Sequence, residues 1–251
     1  MKTDSAPMRP PMRFDGKRVL VTGASRGIGR ALALQLAAEG AEVLALARST
    51  EAMEGLPEGV ERLACDLADS RARAALIAGL QGQRLDGMIN NAGIQIAADF
   101  AKGGADPQDI EREVAVNLTA PMHLAAGLLP VLAQTPGSFL VNVTSGLALA
   151  PKRQAPVYCA SKAALRNFTR ALRYQAEGAG LPVRITDCVM ALAATQMTAG
   201  RGRGKISPNA AAAALLGGIA AGKSEIWVGQ MKLLRLIHRL SPALAARILR
   251  G

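Results

Sequence analysis

Seven short runs of β-branched and leucine-rich residues, separated by longer stretches with helical spacing, set the framework of this 251-residue chain. They are Arg18 to Val21, Glu42 to Leu46, Glu61 to Cys65, Gly87 to Ile89, Ser138 to Val143, Val183 to Val189 and Glu225 to Val228. Strands that alternate with helices are joined by βαβ crossovers, which are right-handed and lay helices on both faces of a sheet. The pattern therefore predicts an α/β fold, a single domain on a doubly wound parallel sheet of about seven strands.

The helical stretches carry matching apolar stripes. Ile28, Leu32 and Leu36 recur at helical spacing, as do Ala164, Leu165, Phe168 and Leu172, and both sets should face the sheet. Aromatic residues make up only 3% of the chain, which suits thin, closely packed layers rather than an aromatic-rich sandwich. Residues 1–13 hold three prolines and few large apolar side chains, so they are expected to form a flexible tail, with the domain occupying 14–251. That tail lacks the apolar core of a secretion signal, and no stretch offers about 18 uninterrupted apolar residues, so neither secretion nor a transmembrane segment is expected. Cys65, Cys159 and Cys188 are scattered, without CxxC or Cys/His ligand spacing. They predict reduced thiols in a cytoplasmic protein with no bound metal.

The first strand runs directly into Thr22, Gly23, Ala24, Ser25, Arg26, Gly27, Ile28, Gly29 and then a helical pattern. A strand ending in such a turn aims a helix N-terminus, with its unpaired N–H groups and positive dipole end, at an anion such as a pyrophosphate. Gly23 permits the turn, Gly27 lets backbone approach the phosphates, and Gly29 lets the helix pack against the strand. At the end of the second strand stands Arg48 where a carboxylate would repel a ribose 2′-phosphate. Arg26 can approach the same phosphate from the other side, so NADP(H) is favoured over NAD(H).

The spacing TGxxxGxG resembles that of the short-chain dehydrogenase/reductase family, which implies a Rossmann-type fold. Asn90, Asn91, Ala92 and Gly93 look like the family's NNAG segment, which supports the central sheet and lines the adenine side of the cofactor site. Asp66 falls where the family has an aspartate contacting adenine, and Tyr158, Cys159, Ala160, Ser161, Lys162 match its YxASK form. Ser145 ends the fifth strand thirteen residues before Tyr158, as the family's catalytic serine does. Asn117 is similar to an asparagine whose local helix distortion holds a water for proton relay. Thr195 matches a threonine that bonds the nicotinamide carboxamide. The family's Pro-Gly after the sixth strand is replaced by Met190 and Ala191. The likeness runs from about Phe14 to Val228 and implies a homodimer or homotetramer.

The chemistry implied is carbonyl/alcohol interconversion on a small molecule. Tyr158 and Lys162, four apart on a helix, project from one face and meet at one substrate. Tyr158 is expected to act as acid and base, its pKa lowered by the Lys162 ammonium, while Ser145 orients the substrate oxygen. Lys162 is also expected to bind the nicotinamide ribose. Thr144 should point away, because successive strand residues face opposite sides. Pocket walls are expected from Gln95, Leu147, Gln154 and Met190, covered by a short basic lid, Ala199 to Lys205, in which Arg201, Arg203 and Lys205 can greet an anionic substrate. Asp106, Asp109, Glu111 and Glu113 look like the solvated start of a helix rather than an acid/base pair. His123 and His238 have no partners at ligand spacing.

A formal charge of +11 raises nucleic acid or an anionic membrane as rival partners. No aromatics interleave with the basic residues to stack on bases, so no nucleic acid is expected. Residues 230–251 form an amphipathic tail: Met231, Leu234, Ile237, Leu244, Ile248 and Leu249 are apolar, set among Lys232, Arg235, Arg239, Arg247 and Arg250, with Ser241 and Pro242 dividing two short helices. Docking on the protein or a partner subunit is the simpler expectation, and weak contact with anionic lipid the sharper one. A nucleotide sensor without turnover is the remaining alternative.

Overall fold

The computed structural model describes residues 12–200 and 204–250. Seven parallel strands, β1 (Arg18–Thr22), β2 (Glu42–Ala47), β3 (Glu61–Ala64), β4 (Gly87–Asn90), β5 (Ser138–Ser145), β6 (Val183–Met190) and β7 (Glu225–Trp227), form one sheet in the order β3-β2-β1-β4-β5-β6-β7. The helices are α1 (Gly27–Ala38), α2 (Ser70–Leu80), α3 (Pro107–Val114), α4 (Ala120–Leu132), α5 (Pro156–Gly178), α6 (Pro208–Ala220), α7 (Met231–Leu240) and α8 (Pro242–Leu249). Each expected strand is present, with ends shifted by at most two residues. The order reverses between β1 and β4, and the cleft at this switch point opens at the carboxyl ends of the strands.

Alternation along the strands feeds two cores. Val19, Val21, Val43 and Ala45 face α1 and α6, meeting Leu32, Leu36, Leu215 and Ile219. Leu20, Leu44, Met88 and Leu140 face the other way, onto Leu124, Leu128 and Leu172 of α4 and α5. Leu124 and Leu128 are wholly buried, and each contributes about 2 kcal/mol of transfer free energy. They belong to the continuous run Pro107–Leu132, which by length and composition alone could cross a membrane; here α4 packs on β5 and α3 on α5. The α1 stripe is as expected, but in α5 Ala164 turns to solvent and Leu165, Phe168 and Leu172 carry the packing.

The expected 1–13 tail is tied down at Met12, which donates its N–H to the Ala220 carbonyl at 2.9 Å and packs on the core. Its first eleven positions lie outside the described residues.

Polar clamps seat α5 on the sheet. Asn90 donates to Asn142 at 2.8 Å, Asn142 donates to Thr169 at 2.8 Å, and Thr169 donates to the Leu165 carbonyl. All three side chains are buried, so each lost link leaves an unpaired polar group in a dry layer. On the far side Arg166 pairs with Asp187 and Glu225, tying α5 to β6 and β7.

Candidate active site

A cavity of about 1090 Å³ runs along the carboxyl ends of the strands. One end is the turn from β1 to α1. Gly23 has φ +71°, and a Cβ there would stand 2.9 Å from the Ala92 Cα; one on Gly29 would stand 2.1 Å from the Gly23 carbonyl oxygen. Only glycine lets strand, helix and the segment after β4 approach this closely. The capping residue of α1, Arg26, makes no side-chain capping bond, and the first turn holds no acid. Among the described residues the first N–H groups therefore have no capping side chain, and no acid of the first turn neutralises the dipole end. Ser25, Arg26, Gly27 and Ile28 border the cavity beside these groups.

Thr22 fastens this end together, a role the motif reading did not give it. Its hydroxyl accepts from the N–H groups of Asn91 at 3.0 Å and Ala92 at 2.9 Å, while the Asn91 side chain donates to the Thr22 carbonyl at 3.0 Å. Asn91, Ala92 and Gly93 accordingly line the cavity. Asp66 lines it too, its carboxylate accepting from the Ala68 N–H at 2.9 Å. Arg48 is exposed at the rim and makes no ion pair among the described residues, whereas the Arg26 guanidinium bonds the Gln196 side chain. Thr195 borders the same space, and its methyl would lie 3.0 Å from a Cβ on Gly27.

At the other end stand Ser145, Tyr158 and Lys162, brought together by the end of β5 and the first turns of α5. The Lys162 ammonium donates to the Val143 carbonyl at 2.9 Å and lies 5.9 Å from the centre of the Tyr158 ring. Thr144 turns its hydroxyl to Asp187 at 2.5 Å, as strand alternation predicts, which leaves Ser145 facing the cavity. Asn117 does not border the cavity. It sits fully buried in a π-helical turn, Ala115–Thr119, between α3 and α4, the distortion that the resemblance implies.

The expected lowering of the Tyr158 pKa is not what the chain's own groups produce. Burial pushes the phenol up to about 12; Ser145 draws it down through a hydrogen bond, and Glu113 adds to the rise. Burial likewise pulls Lys162 down to about 8, against Asp187 and Glu113, which favour its charge. Loss of water is the largest cause of the shift at both groups.

Glu113 corrects another expectation. It is 1% exposed, not solvated: its carboxyl accepts from the Ile96 N–H at 3.4 Å, and burial raises its pKa to about 7. The usable signal was its place four residues before Asn117, on the helix that the π turn interrupts. Gln95, Leu147 and Met190 border the cavity, but Gln154 is exposed outside it and only its backbone carbonyl is used, by Ala98. Lys205 donates to the Thr198 carbonyl at 2.5 Å, while Arg201 and Arg203 lie outside the described residues. His123 accepts from Arg73 at 3.3 Å. No cluster of His, Cys, Asp or Glu suited to a metal occurs among the described residues. Met231, Ile248 and Leu249 bring the C-terminal helices to the cavity wall.

Comparison with known proteins agrees with this geometry. The chain is 42% identical over 170 residues to the uncharacterized oxidoreductase DltE of Bacillus subtilis, covering 65% of this chain and 67% of that one. It is 34% identical over 169 residues to D-erythrulose reductase of Gallus gallus, covering 66% and 67%. Among solved structures, a short chain dehydrogenase from Burkholderia cenocepacia in complex with NADP superposes with a TM-score of 0.86 at 26% identity, over 96% of this chain and all of that one. The family profile described as short chain dehydrogenase matches residues 17–205, and the chain belongs to the short-chain dehydrogenase/reductase family of oxidoreductases.

Proposed function

We propose that the protein is an NADPH-dependent reductase that interconverts a small-molecule carbonyl and its alcohol, with Tyr158 as the acid and base. The observation that carries this reading is the convergence of Ser145, Tyr158 and Lys162 on the cavity whose opposite end is the uncapped α1 N-terminus with Arg48 at its rim. The glycine turn fits a pyrophosphate, and the free Arg48 guanidinium fits a 2′-phosphate dianion. The NADP-bound relative from Burkholderia cenocepacia supports that cofactor, and the D-erythrulose reductase from Gallus gallus supports a carbonyl substrate.

NADPH supplies the hydride when bound. Ser145 donates a hydrogen bond to the carbonyl oxygen and polarises it, and Tyr158, held protonated at neutral pH by burial, delivers its proton as negative charge grows on that oxygen. A phenol this reluctant to ionise suits the acid role in reduction. In the oxidative direction it must first lose its proton, and the Lys162 charge beside it favours that loss. Asn117 braces the segment at Ile94, next to Gly93, which lies beside the Lys162 ammonium. The three cysteines are buried and unpaired, which supports the reducing cytoplasm as the working compartment.

The test is loss of NADPH absorbance against a panel of ketones, aldehydes, quinones and acyl thioesters. Turnover on at least one member, with NADH slower, is the expected result. Tight NADPH binding without turnover on any member would make the protein a nucleotide sensor instead.

A further inference from the structure

The C-terminal helices have two apolar sides, and the fold covers only one. Leu234 and Ala245 are buried, with Met231, Ile237 and Leu249 packed beside them. On α7, Leu233, Leu236 and Leu240 remain 61%, 54% and 77% exposed, and Leu244 and Ile248 on α8 are 49% and 53% exposed. At 3.6 residues per turn the three α7 leucines share one side, and Lys232, Arg235 and Arg239 run along the adjacent one. Residues 231–250 contain five Lys and Arg and no Asp or Glu. Arg235 is held toward the fold, 3.7 Å from Glu225 and 5.1 Å from the Trp227 ring, so Lys232 and Arg239 are the cations that flank the leucines.

Charge decides what can cover this surface. A symmetric contact with a second copy sets the same patch against itself and gathers the cations of both copies at one contact, with no Asp or Glu within 231–250 to offset them. An apolar stripe bordered by cations instead matches a bilayer interface, where acyl chains lie just beneath anionic headgroups. We propose that α7 and α8 dock the protein on anionic lipid membranes, with Leu233, Leu236 and Leu240 entering the acyl boundary and Lys232 and Arg239 at headgroup level. Ile248, exposed on α8, also borders the cavity, so docking through α7 and α8 brings the cavity mouth toward the lipid. On the reductase reading, apolar carbonyl compounds dissolved in the membrane are then the substrates nearest to hand.

The test is sedimentation of the full chain with phosphatidylcholine vesicles containing a quarter phosphatidylglycerol, beside pure phosphatidylcholine vesicles. Binding to the mixed vesicles should be roughly tenfold or more stronger than to the pure ones, and should weaken at high salt. The triple variant L233Q/L236Q/L240Q should lose most of the binding while keeping the parent's thermal unfolding, and K232Q/R239Q should lose the preference for anionic lipid. Failure to sediment with the mixed vesicles, equal binding to both kinds, or undiminished binding by the leucine variant overturns the proposal. So does a dimer in sedimentation equilibrium that the leucine variant converts to monomer, since the stripe would then belong to a second copy. Vesicle binding by a protein without carbonyl turnover would leave the docking surface standing and remove only the reductase reading.

Discussion

The Asn117 side chain is paired to the backbone of Ile94 in both directions, donating to its carbonyl at 2.8 Å and accepting from its N–H at 2.9 Å. A third contact, 3.3 Å to the Ser161 hydroxyl, reaches α5 next to Lys162. One buried carboxamide thus joins the π turn, the cavity wall and α5. Asn117→Ala removes these links and strands two backbone groups, at a cost of roughly 2–3 kcal/mol. Urea unfolding should show the midpoint falling with an unchanged slope; a stability equal to the parent's would show that the pairing is dispensable.

Tyr158→Phe keeps the ring and removes the proton. Since the anion-binding turn and Arg48 lie at the opposite end of the cavity, NADPH affinity measured by fluorescence titration should stay within a factor of about two. Turnover should drop by roughly a hundred to ten-thousand-fold, the usual weight of a positioned acid. Parent-like turnover in this variant is the result that the assignment of Tyr158 does not survive.

Arg48→Asp places negative charge where a 2′-phosphate would lie. A charge-assisted bond of this kind is worth about 1.5–3 kcal/mol, so kcat/KM with NADPH relative to NADH should fall by roughly tenfold or more. Arg26 offers less relief than its position suggests, because Gln196 already engages it. An unchanged ratio would transfer the discrimination to another group.

Glu113 should make stability depend on pH in an identifiable window. Its carboxyl holds a proton up to about 7 in the folded chain, against an ordinary value of 4.5. Between those values the folded state binds more protons than the unfolded one, so the contribution is full below about 4.5, declines as pH rises, and is lost above about 7. Glu113→Gln keeps the acceptor for the Ile96 N–H and removes the ionisation. The variant should gain on the order of 3 kcal/mol over the parent above pH 7, and almost nothing near pH 4.5. Paired urea unfolding at the two pH values checks the sign.

The strands and the glycine turn were legible because their signals are local. Continuous β-branched and leucine-rich runs, a turn before a helix and the spacing of Ser145, Tyr158 and Lys162 need no knowledge of what lies across the molecule. Glu113 was not legible: a charged first turn with Asp109 and Glu111 reads as solvated, and only the packing of α3 on α5 turns one of the three carboxylates inward. The direction of the Tyr158 shift was missed for a related reason. Sequence shows the neighbouring cation but not the loss of water around the phenol, and that loss is the larger effect. The exposed α7 stripe escaped because amphipathicity was read as one apolar side, whereas Leu233 and Leu234 are consecutive and point to different ones.

The strand order has a further consequence. Arg48 belongs to the first fifth of the chain and Thr195 to the last quarter, yet they border one cleft because β1 and β4 are neighbours at the reversal. A dinucleotide lying across that seam acts as a clasp between halves that are remote along the polypeptide. Hydrogen exchange should therefore slow on both sides of the seam together when nucleotide is added, and neither half alone has the means to grip it.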